Sequence, residues 1–148
     1  MRSRRAMRSR GWGHSRLRAS GHLQREIEWL AAGLRQMGVR PGDTLLVHAS
    51  FKATGAAHPE SVIRALLEAL GPEGTLLMPA LSYQQIPIHL HDTRSTPSCV
   101  GFLTEHFRTR PGTRRSLHPT HSVCAVGPRT AELLDSHFRD TTPCGPCS

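Results

Sequence analysis

A strand, a helix and a second strand follow one another between residues 44 and 80, and that succession limits the fold more than any other part of the chain. Thr44-Leu45-Leu46-Val47-His48 is a short β-rich run, and Pro41-Gly42-Asp43 before it is turn chemistry. From Pro59 to Leu70 the residues Val62, Leu66, Ala69 and Leu70 recur on one helical face, with proline at the opening and Gly71-Pro72 at the close. The segment GTLLMPA, Gly74 to Ala80, is the next strand. A βαβ crossover of this length joins parallel strands through a right-handed connection. It places residues 50–55 at a strand's carboxyl end, where ligands bind in open α/β sheets.

The flanking segments extend the same alternation. Leu23, Ile27, Leu30, Ala31, Leu34 and Met37 form an apolar helical face that Gly38 closes. Residues 49–57 are expected to be a loop of small residues, and residues 81–98 a long polar loop of the kind that often carries function. Residues 100–108 then suit a helix burying Phe102, Leu103 and Phe107. Residues 122–126 suit a strand, and residues 128–138 a helix with proline at its start. The last segment, 140–148, is turn-rich. With 148 residues and 37% hydrophobic content, one globular domain is expected.

The net charge of +8 resembles a nucleic-acid signature until it is located. Residues 1–20 hold seven arginines and no acid, so the rest of the chain stands at +1 and has no broad field to draw in DNA or RNA. This divides the chain into a disordered Arg-rich arm, 1–20, and a folded body, 21–148. Nucleic-acid binding through the arm is the alternative that the arginines raise. No apolar run approaches the length of a membrane helix and no secretory signal opens the chain, so the expected location is cytoplasmic.

Two segments concentrate chemistry. His48-Ala49-Ser50-Phe51-Lys52-Ala53 offers backbone amides, a hydroxyl and the chain's single lysine, a combination suited to phosphate, although the glycine spacing of a Walker loop is absent. Residues 114–122, RRSLHPTHS, offer paired arginines that grip phosphate and histidines that shuttle protons, with Pro119 restricting the backbone at His118. A pocket is therefore expected where the first parallel strand ends, with Lys52 and Arg115 facing one shared hollow. The bland readings are a simple connection at Lys52 and structural histidines at 118 and 121. Cys144-Gly145-Pro146-Cys147 matches a thioredoxin active-site string without the helix that would activate it, and no metal is assigned.

The order of signatures from about Gly38 to Gly145 resembles the aminoglycoside 3-N-acetyltransferase family. They are GVRPGDTLLVHASFKATG, GPEGTLLMPALS, TPSCVGFLTEHFRTRPGTRRSLHPTHSVCAVG and DTTPCG. The resemblance implies a three-layer α/β/α fold with a central mixed, largely parallel sheet, present as an incomplete copy. It makes residues 21–148 the N-terminal portion of an acetyltransferase domain.

The implied activity is transfer of acetyl from acetyl-CoA, the co-substrate, to the 3-amino group of a 2-deoxystreptamine aminoglycoside, in a cytoplasmic antibiotic-resistance enzyme. By the same resemblance Ser50, Phe51, Lys52, Arg115, Ser116 and Val123 contact the coenzyme. His118 stands at a recurrent His-Pro and is the catalytic candidate, Ser122 stands at a recurrent serine, and His121 takes no family role. The family's general-base histidine, in a Thr-x-x-His-x-x-Glu segment, does not occur through Ser148. A C-terminally truncated copy is therefore expected, either inactive or a non-catalytic coenzyme-binding fragment, and prone to self-association through an exposed sheet edge. A polycationic substrate asks for an acidic rim, with Asp92, Glu105 and Asp140 as scattered candidates.

Overall fold

The computed structural model describes residues 12–84, 91–142 and 145–146, with the backbone alone for residues 12–20. Helix α1 (Trp12–Gln36) is followed by strand β1 (Thr44–Leu46), the short helix α2 (Phe51–Thr54), helix α3 (Pro59–Leu70) and strand β2 (Thr75–Pro79). Helix α4 (Phe102–Thr109), strands β3 (Arg114–Arg115) and β4 (Val123–Val126), helix α5 (Thr130–Leu134) and a 3-10 turn (His137–Arg139) complete the order. Among the described residues no helix is long and apolar enough to cross a membrane.

The βαβ unit forms as its pattern dictates. Pro59 opens α3 at a position whose N–H is unpaired in any helix, and Gly71, at φ 66°, receives the chain as it turns away. β1 and β2 then pair in parallel, Thr44 opposite Thr75 and Leu46 opposite Leu77. The sheet order is β1-β2-β4-β3, and both pairings of β4 are antiparallel. β1, β2 and β3 therefore run in one direction, and only β4 runs against them. The crossover from β2 through α4 delivers β3 parallel to β2 but one strand away. The chain then doubles back through residues 116–122 and fills the gap with β4. The expected mixed sheet is present, parallel in strand direction, although only β1 and β2 are parallel neighbours.

Alternation along β2 and β4 decides the layers. Leu76, Met78 and Cys124 point to one face, where Val62, Ile63, Leu66, Leu70, Leu103 and Phe107 from α3 and α4 form the core. α1 stacks outside α3, burying Ile27 and Ala31 against Ala65. The other face carries Thr75 and Ala125, and the Thr75 hydroxyl accepts the Arg129 N–H at the start of α5, 3.1 Å away. Helices thus cover both sides of the sheet.

Four local expectations change. α1 begins at Trp12, inside the segment read as an arm, because residues 12–20 continue the helix without a break; residues 1–11 lie outside the described residues, as do Cys144 and Cys147. The loop after β1 contains a single helical turn, α2, closed by Gly55 at φ 68°. Met37, one residue past the end of α1, is exposed instead of buried. Phe102 is 63% exposed because it opens α4 on the side away from Leu103 and Phe107.

Candidate functional site

Because β1, β2 and β3 point the same way, the residues that follow them collect along one edge of the sheet. Residues 48–52 follow β1, residues 80–83 follow β2, residues 116–118 follow β3, and residues 120–122 precede the opposed β4. This is the carboxyl edge at which α/β sheets hold ligands. β1 and β3 are its outer strands, three spacings or about 14 Å apart.

At the β1 end, His48, Ala49, Ser50, Phe51, Lys52, Val100, Gly101 and Phe102 line a hollow of about 460 Å³. The Phe51 and Phe102 rings meet tilted at 54°, centroids 5.6 Å apart, and tie α2 to the start of α4. Ser50 makes no side-chain capping bond to α2, so its hydroxyl stays available at the mouth. Lys52 is exposed beside it. Three of the residues assigned to the coenzyme, Ser50, Phe51 and Lys52, therefore share one hollow, and the sequence reading missed Phe102 by placing it in the core. The signal that could have found it is the glycine at its N-terminal side: Gly101, at φ 129°, turns the chain into the helix with Phe102 still outside.

Arg115 does not face that hollow, which corrects the expectation of a single pocket shared with Lys52. Its Nε donates to Ser122 Oγ at 2.7 Å, one terminal nitrogen donates to the carbonyls of Thr93 and Thr96, and the other to the carbonyl of Ala80 at 2.6 Å. A guanidinium so enclosed by oxygens fastens residues 93–96 to the end of β2. Burial lowers its pKa, yet its partners are those of a cation. It borders a separate hollow of about 540 Å³ with Thr93, Arg94, Arg108, Thr113, Arg114 and Leu117. There Arg108 is bound by Glu105 at 2.6 Å and Arg114 by Asp135 at 2.6 Å, so these guanidiniums are already paired.

Ser116 and Val123 build the hairpin that returns the chain into the sheet. The Ser116 N–H donates to the Val123 carbonyl, and the Val123 N–H donates to Ser116 Oγ, both at 2.9 Å. Ser122 is buried, donating to the Ala80 carbonyl while accepting from Arg115. Cys124 lies deep in the core, where burial pushes its thiol up to about 12 against the pull of nearby Arg115. It is a packing residue at neutral pH.

His118 is only 6% exposed. Its Nδ1 accepts the backbone N–H groups of Thr120 and His121 at 3.3 and 3.0 Å, which leaves the ring proton of the neutral form on Nε2. The ring lies 4.9 Å from His137 and 5.8 Å from His121, and His121 in turn stacks on Tyr83 at 6.0 Å. Of the acidic candidates, Asp92 accepts from Arg94 N–H and the Ser95 hydroxyl within its own turn, and Glu105 is held by Arg108 and the Ser98 N–H. Glu105 is therefore neutralised by Arg108, whereas Asp92 stays exposed at the surface.

The family described as aminoglycoside 3-N-acetyltransferase matches residues 46–148. Aminoglycoside N(3)-acetyltransferase III of Serratia marcescens is 36% identical over 132 residues, which cover 75% of this chain and 49% of that protein. The crystal structure of aminoglycoside acetyltransferase AAC(3)-Xa superposes with a TM-score of 0.74 at 32% identity, covering 86% of this chain and 54% of that one. The binary complex of AAC-IIIb with CoASH gives 0.67 at 29% identity, covering 76% and 50%. The chain spans about half the length of the relatives it matches.

Proposed function

Since the chain belongs to the aminoglycoside 3-N-acetyltransferase family, we propose that it serves acetyl transfer from acetyl-CoA to the 3-amino group of a 2-deoxystreptamine antibiotic, with the coenzyme received at the hollow of Ser50, Phe51 and Lys52. The observation that carries this reading is the position of that hollow. It lies at the carboxyl end of β1, within the matched span, and its rim holds the chain's one lysine.

The residues divide the work. Lys52 offers a mobile ammonium to phosphate oxygens, and the Phe51–Phe102 pair gives an apolar wall. An extended ligand laid along the carboxyl edge runs from Lys52 toward His118, across the ends of β2 and β4. In the transfer the amine nitrogen attacks the thioester carbonyl, the oxyanion collapses, and the carbon–sulfur bond breaks to release CoA while a base takes the amine proton. His118 enters this reading as an Nε2 donor and not as that base, because its Nδ1 lone pair is held by two backbone amides. Arg115 enters it as the residue that positions the loop beside the edge.

Calorimetric titration with CoA tests the assignment. Lys52→Ala is expected to weaken binding about tenfold, the worth of one charge-assisted contact. Equal affinity for both chains overturns the site. Mass spectrometry of gentamicin or kanamycin incubated with acetyl-CoA and the chain tests transfer itself: an acetylated product supports catalysis by these residues, and binding without product assigns them the coenzyme-holding part alone.

A further inference from the structure

We propose that His137 is an acid-sensitive lock on the hairpin turn, residues 116–123, closed while its ring is neutral and opened when it takes up a proton. The hydrogen-bonding geometry carries this, whatever ligand the edge receives. The Nδ1 atom of His118 accepts two backbone N–H groups that define the turn, and its ring packs against that of His137, while Ser116 Oγ ties His137 to the Val123 N–H that closes the hairpin. His137 is 2% exposed, and its Nδ1 meets Ser116 Oγ at 2.9 Å. Its Nε2 is buried with no hydrogen-bond partner among the described residues. A protonated imidazole needs an acceptor at each nitrogen. His137 has one.

The surroundings add repulsion to lost hydrogen bonds. A charge on His137 would form 4.9 Å from the His118 ring, in a neighbourhood rich in histidine. From the turn itself His121 faces the pair, from the loop after β2 His91 faces it, and Arg115 of β3 stands behind His91 as a permanent cation. Asp140, after the 3-10 turn, and Asp92, in the loop, pull the other way. The balance falls against protonation: burial first, then the neighbouring cations, hold His137 and His91 below the ordinary histidine value.

An opened turn lets His137 bind the proton that the closed turn refuses. The closed form is therefore fully stable above about pH 6.5 and loses stability as the pH falls below it. What opens is the carboxyl edge itself. Ser82 donates its N–H to the Thr120 carbonyl and its hydroxyl to the Pro119 carbonyl, so release of the turn also frees the end of β2.

Amide hydrogen exchange on the whole chain, corrected for the intrinsic effect of pH, reads the lock directly. Below about pH 6.5 and down to about pH 5.5, protection at Thr120, His121 and Val123 is expected to fall by up to about tenfold per pH unit, while α3 amides such as Ile63 and Leu66 keep theirs. Unchanged protection at the turn overturns the proposal, as does a loss at α3 in step with the turn. His137→Asn places an amide against Ser116 Oγ without a titrating ring. It is expected to remove the pH dependence of the turn. A dependence as steep as that of the native chain overturns the role of His137, and the native measurement stands even if this variant does not fold.

Discussion

Arg115 gives its donors to three backbone carbonyls and a serine hydroxyl, and this arrangement decides what the residue does. A side chain that binds a ligand keeps donors turned toward solvent, whereas this one faces inward. Arg115→Met should therefore leave the Thr93 and Thr96 carbonyls without this donor, reduce the Ala80 carbonyl to the Ser122 hydroxyl alone, and cost about 3 kcal/mol of stability, measured by urea unfolding. A loss below about 1 kcal/mol, accompanied by weakened CoA binding, would return Arg115 to the coenzyme. Lys52 shows the converse. Its place beside the β1 hollow was legible because it closely follows a strand, while the carbonyl acceptors around Arg115 come from residues 19 to 35 positions away that no local pattern pairs with it.

Elements with a period or a cap were readable in advance. α3 begins and ends where Pro59 and Gly71 place it, and the β1 and β2 runs pair as a crossover must. α2 and β3 were not legible, since four residues and two residues are too short to show a period. Nor does any local signal in 122–126 say that β4 enters between β2 and β3, because that register depends on the hairpin held by Ser116 and Val123. The turn after β4 offers a direct test. Gly127 has φ 134°, and a Cβ there would lie 2.6 Å from Thr75 Cα and closer still to the Gly74 carbonyl oxygen. Gly127→Ala is expected to destabilise the chain by about 2–4 kcal/mol and lower its thermal midpoint by many degrees. A midpoint unchanged within error would mean that β4 can leave the sheet end without disturbing β2.

At the scale of the whole molecule, β1 is an outer strand of the four-stranded sheet. Beside it an apolar groove of about 610 Å³ runs between α1 and α3, lined by Leu30, Leu34, Met37, Val47, Val62 and Leu66, with Trp29 among its walls. Leu46 and Met37 are exposed next to it. An open strand edge bordered by apolar surface favours association. Sedimentation velocity should show mass increasing with concentration, and Leu46→Lys, which puts a charge on the edge strand, should shift the distribution toward monomer. A native chain that stays monomeric at high concentration would show that the edge is already protected. Trp29 is 72% exposed and is one of only two tryptophans. In a Trp12→Phe background its indole becomes a built-in optical gauge: whatever settles into the groove, a neighbouring copy or another polypeptide, would strip water from the ring and move its emission toward the blue.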